Sequence, residues 1–235
     1  MNEIYENYLE TSAAGTEESS WKIEEIKVNY SKYFPVDKNA CCLDIGIGNG
    51  EMLHLLQDSG YVNAEGADIS PSTIKRCSDR GYRCSLVENT VDFLKKYPGK
   101  FSMISMFHVI EHISREEILP IITACYEALR DDGVLLLETP NMANIDGAFM
   151  RYSDFSHVMG YTNLSLKQLL LLGKFTSFEI FSPNVIFRKS FKQKIWKLAN
   201  KLQNVIFRTE RKVGGVQLPS PTGIWLSAVA CKTSK

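Results

Sequence analysis

Cys41-Cys42-Leu43-Asp44-Ile45-Gly46-Ile47-Gly48-Asn49-Gly50 is the stretch from which the fold is predicted. It begins as a short apolar run, which is typical of a strand buried on both faces. It ends in three glycines at alternate positions, and residues 51–56 follow with helical spacing. Glycine permits positive φ and close approach of a ligand, and the N–H groups that open the helix point at whatever occupies the turn. We therefore predict a strand, a glycine turn and a helix that together form a ligand site.

A glycine turn after a strand can be a plain tight connection, a dinucleotide site or an S-adenosylmethionine site. The dinucleotide fingerprint is G-x-G-x-x-G, but position 51 is Glu and the spacing here is G-x-G-x-G. The stretch from Leu43 to Gly50 resembles motif I of the class I S-adenosylmethionine-dependent methyltransferases, (L/V)-D-x-G-x-G-x-G, at every position. The resemblance implies an α/β fold with a Rossmann-like, seven-stranded, mostly parallel sheet, helices on both faces and an antiparallel last strand.

The same resemblance implies S-adenosylmethionine as the cofactor. Asp68 ends the second predicted strand, and an acid about 20 residues past the glycine turn can hold two ribose hydroxyls. A nicotinamide cofactor carries the same hydroxyls, so Asp68 does not separate the two classes. Asn89 aligns best with the family residue that meets the adenine amino group. The full set of expected cofactor-binding residues is Asp44, Gly46, Gly48, Gly50, Asp68, Ile69, Asn89, Met106, Phe107 and His108.

Further apolar runs predict the remaining strands at 63–69, 82–87, 101–106, 134–138, 175–181 and 223–232. We expect a methyltransferase core at 36–183 and 223–235. Residues 1–35 are expected to form an N-terminal helix, either packed on the sheet edge or acting as a lid over the cofactor, and the domain division names them an N-terminal helical lid. Residues 184–222 are expected to form a basic amphipathic insertion.

Composition restricts the partners and the compartment. The 27 Lys and Arg residues balance 27 Asp and Glu residues, so overall charge predicts no nucleic-acid partner. The six cysteines contain no C-x-x-C pair, which favours buried thiols in a reducing cytosol. The start of the chain lacks the basic and apolar regions of a signal peptide, and no run of 18 apolar residues occurs. We expect a cytoplasmic protein.

A metal-like pair follows the fourth strand. Glu111 and His112 are adjacent, but neighbouring residues on a helix point about 100° apart and cannot easily share one ion. His108 and His112 are four residues apart and could chelate an ion if helical, but a third ligand is not nearby in the sequence. We therefore expect no metal site, and Glu111 and His112 are expected to brace the loop.

The connection at 141–163 is the candidate acceptor site, because a loop this long in a compact domain is usually functional. The pattern T-P-N…R-Y-x-D-x-x-H…T-x-x-S-L, from Thr139 to Leu166, resembles a subgroup that methylates bacterial surface glycans such as O-antigen and capsule precursors. The expected catalytic residues are Arg151, Tyr152, Asp154 and His157. A salt bridge that only braces the loop remains an alternative.

The resemblance implies an O-methyltransferase acting on a sugar hydroxyl or a phosphate or phosphoramidate-type group. A phosphate-type oxygen is already anionic and needs no base. A sugar hydroxyl needs one, and His157 is the candidate because its ordinary pKa of about 6.5 suits that role. The alternatives are a small-molecule O-methyltransferase of the quinone or secondary-metabolite kind, an RNA methyltransferase, and a non-catalytic S-adenosylmethionine-binding partner protein.

The segment 184–212 carries nine Lys and Arg residues against one acid, Glu210. Aromatic and aliphatic residues are interleaved with these charges. One interpretation is the solvated face of a helix packed on its own domain. The other is a surface that meets an anionic membrane or an acidic partner, which would place the enzyme at the periphery of the inner membrane.

Overall fold

The computed structural model describes residues 19–185, 198–199, 202–203, 205–207, 209–210, 212–215 and 221–233. A seven-stranded sheet organises these ranges. Its strands are β1 (Cys42–Ile45), β2 (Ala64–Asp68), β3 (Cys84–Leu86), β4 (Phe101–Phe107), β5 (Leu129–Pro140), β6 (Ser177–Phe181) and β7 (Trp225–Cys231). The helices with assigned ends are α1 (Ser20–Tyr30), α2 (Glu51–Asp58), α3 (Pro71–Asp79), α4 (Thr90–Leu94), α5 (Arg115–Ala128), α6 (Gly147–Tyr152) and α7 (Asn163–Leu172).

The strand order is β3-β2-β1-β4-β5-β7-β6. The first five strands in this order are parallel to one another, and β7 is antiparallel to both β5 and β6. The predicted Rossmann-like sheet with an antiparallel last strand is therefore confirmed. The chain builds outward from β1 on one side and from β4 on the other. In such sheets the crevice at the carboxyl ends of the two central strands is where ligands bind.

The sheet is covered on both faces, as its near-continuous apolar strands require. Alternate residues of each strand point to opposite faces. Leu43 and Ile104 belong to the larger core, which includes side chains of α5 and α7. Cys42 and Met103 belong to the core on the other face, which includes Tyr30 at the end of α1 and the apolar side of α2.

Several element ends differ from the sequence-based expectation. Helix α5 ends at Ala128, and β5 begins at once and runs through an irregularity around Asp132, which has φ +63. Helix α7 begins directly after Thr162. Thr162 is the N-cap and Ser165 completes a reciprocal capping box with it.

Two predicted segments are described only in part. Residues 1–18 of the predicted lid lie outside the described residues, whereas α1 packs against the sheet. Of the basic residues at 184–212, Lys212 is described and the other eight are not. The described residues between 198 and 213 are helical. In the described part of the chain, no helix is both long enough and apolar enough to cross a membrane.

Candidate active site

The glycine turn connects β1 to α2 and depends on the absence of side chains. Gly46, Gly48 and Gly50 all have positive φ, at 75°, 52° and 90°. A Cβ on Gly46 would lie 2.3 Å from Cγ2 of Val109, and a Cβ on Gly50 would lie 2.9 Å from the ring of Tyr82. A Cβ on Gly48 would meet nothing within 4 Å. Two glycines are therefore needed for packing as well as conformation, and Gly48 alone borders open space.

Asp44 lies directly below this turn, at 4% exposure. Its Oδ1 accepts a hydrogen bond of 2.6 Å from the hydroxyl of Ser105 on β4. Burial raises the pKa of Asp44 to about 8, although the Ser105 hydrogen bond acts in the opposite direction. The neighbouring acid Glu51 raises this pKa further. The residues described here thus leave Asp44 without a compensating cation, as expected of an acid that awaits a positively charged ligand.

Asp68 ends β2 beside the turn. Its carboxylate accepts a hydrogen bond of 2.8 Å from the N–H of Ser70. Burial raises the pKa of Asp68 to about 6, and backbone hydrogen bonds, including those from Ile47 and Gly48 of the turn, limit the rise. Ile69, the next residue, is exposed. The structure thus places Asp68 and Ile69 at the glycine turn, where the sequence predicted them.

Asn89 has a structural role that the sequence did not predict. It is the N-cap of α4, and its side-chain oxygen accepts a hydrogen bond of 3.0 Å from the N–H of Asp92. The side chain is exposed after β3, at the same sheet edge as Asp68. Capping occupies the amide oxygen and does not use the NH₂ group.

Three of the predicted cofactor-binding residues lie at the end of β4 or directly after it. Met106 is buried in the core. Phe107 is half-buried, with its ring centroid 4.7 Å from that of Tyr30. His108 is exposed and has φ +55, a conformation that costs a non-glycine residue about 1–2 kcal/mol. Such strain at the end of a central strand is typical of a functional position.

His108 is held between two acids and an aromatic ring. Its Nε2 lies 3.1 Å from Oε1 of Glu138, at the end of β5, and its Nδ1 lies 3.5 Å from Oε1 of Glu111. The ring of Trp225 packs edge-on at 4.6 Å. Burial by itself lowers the pKa of His108, but the two acids outweigh it and raise the pKa to about 10. His108 is therefore a cation at neutral pH and not a general base.

Glu138 was missed as a site residue in the sequence analysis. Its Oε2 also accepts hydrogen bonds from the hydroxyls of Tyr30 and Ser227. These partners come from α1 and β7, so only the tertiary fold brings them together. The available signal was a carboxylate at the carboxyl end of a buried strand, the same feature that identified Asp68.

The loop 141–163 arranges its predicted residues differently from the expectation. The Arg151 guanidinium donates to the backbone carbonyls of His157 and Val158, the latter at 2.7 Å. Tyr152 is 81% exposed. Asp154 accepts hydrogen bonds from the N–H and the hydroxyl of Ser156, at 2.9 and 2.5 Å. Arg151 thus braces the loop, and the backbone carbonyl of Asp154 accepts a hydrogen bond of 3.2 Å from the N–H of His157.

His157 meets His112 at the base of this loop. The ring centroids are 4.7 Å apart. Nδ1 of His157 lies 2.9 Å from the carbonyl oxygen of Met150, and Nδ1 of His112 lies 2.9 Å from the hydroxyl of Ser156. Burial lowers the pKa of His112, and nearby His157 lowers it further. His112 is therefore neutral at neutral pH.

Glu111 lies beside this pair at 2% exposure, and its Oε2 accepts a hydrogen bond of 3.0 Å from Thr139. Burial raises its pKa, but hydrogen bonding and attraction from His108 prevail and hold the pKa below its usual value. One potential ligand atom from each of Glu111, His112 and His157 lies within 4.8 Å of the others. The sequence argument against a metal relied on the lack of a third ligand, and the fold brings one from a distant loop.

Comparison with known proteins agrees with this arrangement. A family model described as a methyltransferase domain matches residues 20–172. A search of curated proteins gives no match. Among solved structures, an S-adenosylmethionine-dependent methyltransferase from Archaeoglobus fulgidus is similar, with a TM-score of 0.67 and 21% identity over 97% of this chain and 98% of that one.

Two further structures share the fold at lower identity. One is an S-adenosylmethionine-dependent methyltransferase from Thermotoga maritima, described as a possible histamine N-methyltransferase, with a TM-score of 0.58 and 12% identity over 91% of this chain and 89% of that one. The other is phosphoethanolamine N-methyltransferase 2 from Haemonchus contortus in complex with S-adenosyl-L-methionine, with a TM-score of 0.62 and 13% identity over 100% of this chain and 58% of that one.

The family model covers well over half of the chain. The matched residues include the glycine turn, Asp68, His108 and the loop that carries His157. The predicted enzyme class and cofactor are confirmed. The chain belongs to the methyltransferase-domain family, and it is an S-adenosylmethionine-dependent methyltransferase.

Proposed function

We propose that this enzyme methylates an oxygen atom, either a sugar hydroxyl or a phosphate or phosphoramidate-type group, in a surface-polysaccharide precursor. The observation that carries the proposal is the pair His112 and His157, which meets where the chain leaves the carboxyl end of β4. The loop that brings His157 there is the one that resembles the surface-glycan subgroup.

The cofactor is assigned to the glycine turn. The open space at Gly48, the buried Asp44 and the half-buried Asp68 fit a ligand that carries an ammonium, a sulfonium and a ribose. In this assignment Asp68 binds the ribose, and the NH₂ group of Asn89 donates to a ring nitrogen of the adenine and not to its amino group, which is itself a donor. S-adenosylmethionine supplies a methyl group on a sulfonium, a good leaving group, so the protein mainly has to align the acceptor and exclude water.

The acceptor is assigned to the space beside His112 and His157. A hydroxyl must lose its proton before or during transfer, and the imidazole nitrogens of this pair are the groups that assist this loss. The carbonyl of Met150 can only accept, so Nδ1 of His157 carries the hydrogen and Nε2 carries the lone pair. His108 has no such lone pair to offer at neutral pH, because its two acids keep it protonated.

A panel of acceptors tests the chemistry. S-adenosylhomocysteine release is measured with sugar nucleotides, sugar phosphates, phosphoethanolamine and histamine, and each product is identified by mass spectrometry and NMR. We expect an O-methyl product from the sugar compounds. Turnover with amines and with no oxygen acceptor would contradict the proposal.

The pH dependence separates the two oxygen classes. A hydroxyl acceptor gives a rate that titrates near neutral pH in the wild type, and this titration disappears in His157→Gln. With a phosphate-type acceptor the rate should not show this titration, because the acceptor oxygen is already anionic.

A further inference from the structure

We propose that Glu111, His112 and His157 form a binding site for one divalent transition-metal ion. These three side chains offer two imidazole nitrogens and a carboxylate oxygen, all within 4.8 Å of one another. Bonds of about 2.1 Å place ligand atoms about 3–3.5 Å apart around one ion. Ion binding therefore requires the three side chains to move closer together.

The histidine hydrogen bonds prepare both rings to bind a metal. Nδ1 of His157 must donate, because its partner is the carbonyl of Met150. Ser156 gives its single hydroxyl hydrogen to Asp154, at 2.5 Å, so its oxygen accepts from Nδ1 of His112. Each neutral ring then carries its lone pair on Nε2. Metal-binding histidines commonly show this arrangement, in which the second ring nitrogen donates to a carbonyl or to a carboxylate-linked group.

Glu111 supplies an independent observation. It is 2% exposed, and Thr139 holds its Oε2. Its Oε1 has no short hydrogen bond from the described residues and makes one long contact, of 3.5 Å, with Nδ1 of the cationic His108. A buried carboxylate oxygen without a hydrogen bond is costly unless another partner satisfies it. A cation at the histidine pair would be such a partner.

The ligand set selects the class of ion. Two imidazoles and one carboxylate favour Zn²⁺, Mn²⁺, Fe²⁺ or Co²⁺ over Mg²⁺ and Ca²⁺, which prefer oxygen ligands throughout. Three protein ligands also leave coordination positions open, as in catalytic and not purely structural sites.

The role of the ion depends on the proposed function, whereas its binding does not. In the hydroxyl case the acceptor oxygen takes an open position on the ion, which lowers its pKa. The O–H bond breaks and water accepts the proton. An electron pair of the oxygen then forms the bond to the methyl carbon as the C–S bond breaks. The two electrons of the C–S bond remain on sulfur, which leaves neutral S-adenosylhomocysteine. His112 and His157 then act as ligands, and the lowered hydroxyl pKa replaces a side-chain base.

The test uses the full chain, purified without a histidine tag, stripped with chelator and titrated with Zn²⁺ by calorimetry. Co²⁺ is used in parallel for its visible absorption spectrum. We expect one ion per chain, and a cobalt spectrum without a thiolate charge-transfer band. His112→Ala, His157→Ala and Glu111→Gln should each weaken binding at least tenfold.

His54→Ala is the matched control. His54 lies on α2, where Nδ1 contacts the Tyr82 hydroxyl and Nε2 pairs with Asp58, so its removal should leave metal affinity unchanged. S-adenosylhomocysteine binding and thermal unfolding confirm that each variant is folded. No binding by the wild type, or equal binding by the wild type and folded His112→Ala and His157→Ala variants, would overturn the metal site.

The two proposals can fail separately. Metal binding is measured without any acceptor, so an enzyme that methylates sugars but binds no ion loses only the metal site. An enzyme that binds the ion and methylates only amines loses only the proposed acceptor.

Discussion

Gly48 shows how a single missing side chain can define a cofactor site. Its φ is +52 and a Cβ there would meet nothing within 4 Å, while Gly60, past the end of α2, has φ +86 and equally open surroundings. A valine at either position should lower the free energy of unfolding by at least about 1–2 kcal/mol, because a left-handed backbone conformation disfavours side chains. Only Gly48→Val should also lose S-adenosylhomocysteine binding, measured by calorimetry. Equal affinity in the two folded variants would place the cofactor elsewhere.

Asp44 should make the ligand-free protein less stable as the pH rises. Its pKa is about 8 in the folded protein and about 3.9 in an unfolded chain. Below about pH 4 both states hold the proton. Between about pH 4 and about pH 8 only the unfolded state releases it, so the free energy of unfolding falls over this window.

Asp44→Asn removes this dependence and keeps an oxygen for Ser105. The melting temperature of the ligand-free variant should exceed that of the wild type by an amount that grows from pH 5 to pH 8, as scanning calorimetry can measure. A difference that does not change with pH would show that Asp44 is already ionised in the folded protein.

Residues close in sequence were predictable at this scale, and residues joined by the fold were not. Asp44, the three glycines and Asp68 follow from local patterns, because a strand, a turn and an acid occur in fixed order. Glu138, Tyr30 and Ser227 meet from three separate elements. The assembly of Glu111 and His112 with His157 likewise requires the loop to fold back.

The loop containing α6 depends on Arg151. Its guanidinium donates to the carbonyls of His157 and Val158, and hydrogen bonds from charged groups contribute about 1.5–3 kcal/mol. Arg151→Ala should lower stability by about 1–2 kcal/mol, since the site is partly solvated. Turnover should fall at least tenfold because His157 loses its support, while S-adenosylhomocysteine affinity remains. Arg151→Lys should not restore turnover, because one ammonium cannot reproduce the planar fork.

Arg83→Ala is the control for this element. Arg83 also donates to a backbone carbonyl, that of Ala64, but lies on the exposed edge at β3. It should leave turnover unchanged. Normal turnover in Arg151→Ala would mean that the loop does not position the acceptor site, and a collapse of cofactor affinity would mean that the loop faces the cofactor.

The T-P-N stretch shows why element roles are hard to predict from a motif. Thr139 holds Glu111, and buried Asn141 donates to the carbonyls of Pro221 and Gly223. These are anchoring roles, whereas the pattern was noted as a substrate clue.

Element types were predicted well because buried strands are apolar runs. Helix starts such as that at Thr162 were not, since several hydroxyl residues nearby could act as caps.

At the scale of the whole molecule, an aromatic surface adjoins the basic insertion. Phe149, Tyr152 and Phe155 on the loop around α6 are exposed. Ile145 of the same loop lines an apolar cavity of about 290 Å³ together with Leu202 and Ile206. We propose that these aromatic residues and the basic segment together meet an anionic membrane surface.

Sedimentation with lipid vesicles tests this association. The wild type should bind anionic vesicles and not neutral ones, less strongly at high salt, since each Lys near the surface contributes about 1 kcal/mol. Replacing Lys192, Lys194, Lys197 and Lys201 by Gln should abolish binding, and Phe149→Ser with Phe155→Ser should weaken it. An active protein that binds no vesicles would leave these residues to packing or to a partner protein.

The sheet architecture was predictable at this scale because one motif is typical of the whole fold. A glycine turn after the first buried strand, with an acid after the second, occurs where parallel strands end at one edge. The acceptor was not predictable in the same way, because one fold serves many substrates and the specificity resides in loop contacts.

Binding of S-adenosylmethionine at the glycine turn, with Asp68 on the ribose, is tested most directly by calorimetry. S-adenosylmethionine is titrated into the wild type, Asp68→Ala and Asp79→Ala. Asp79 is an exposed acid that ends α3 and pairs with Lys75, so it controls for the loss of a negative charge. We predict one binding site per chain. The affinity should be at least tenfold lower in folded Asp68→Ala, a loss of about 1.4 kcal/mol of binding free energy, and unchanged in Asp79→Ala. Equal affinity in all three proteins would contradict this prediction.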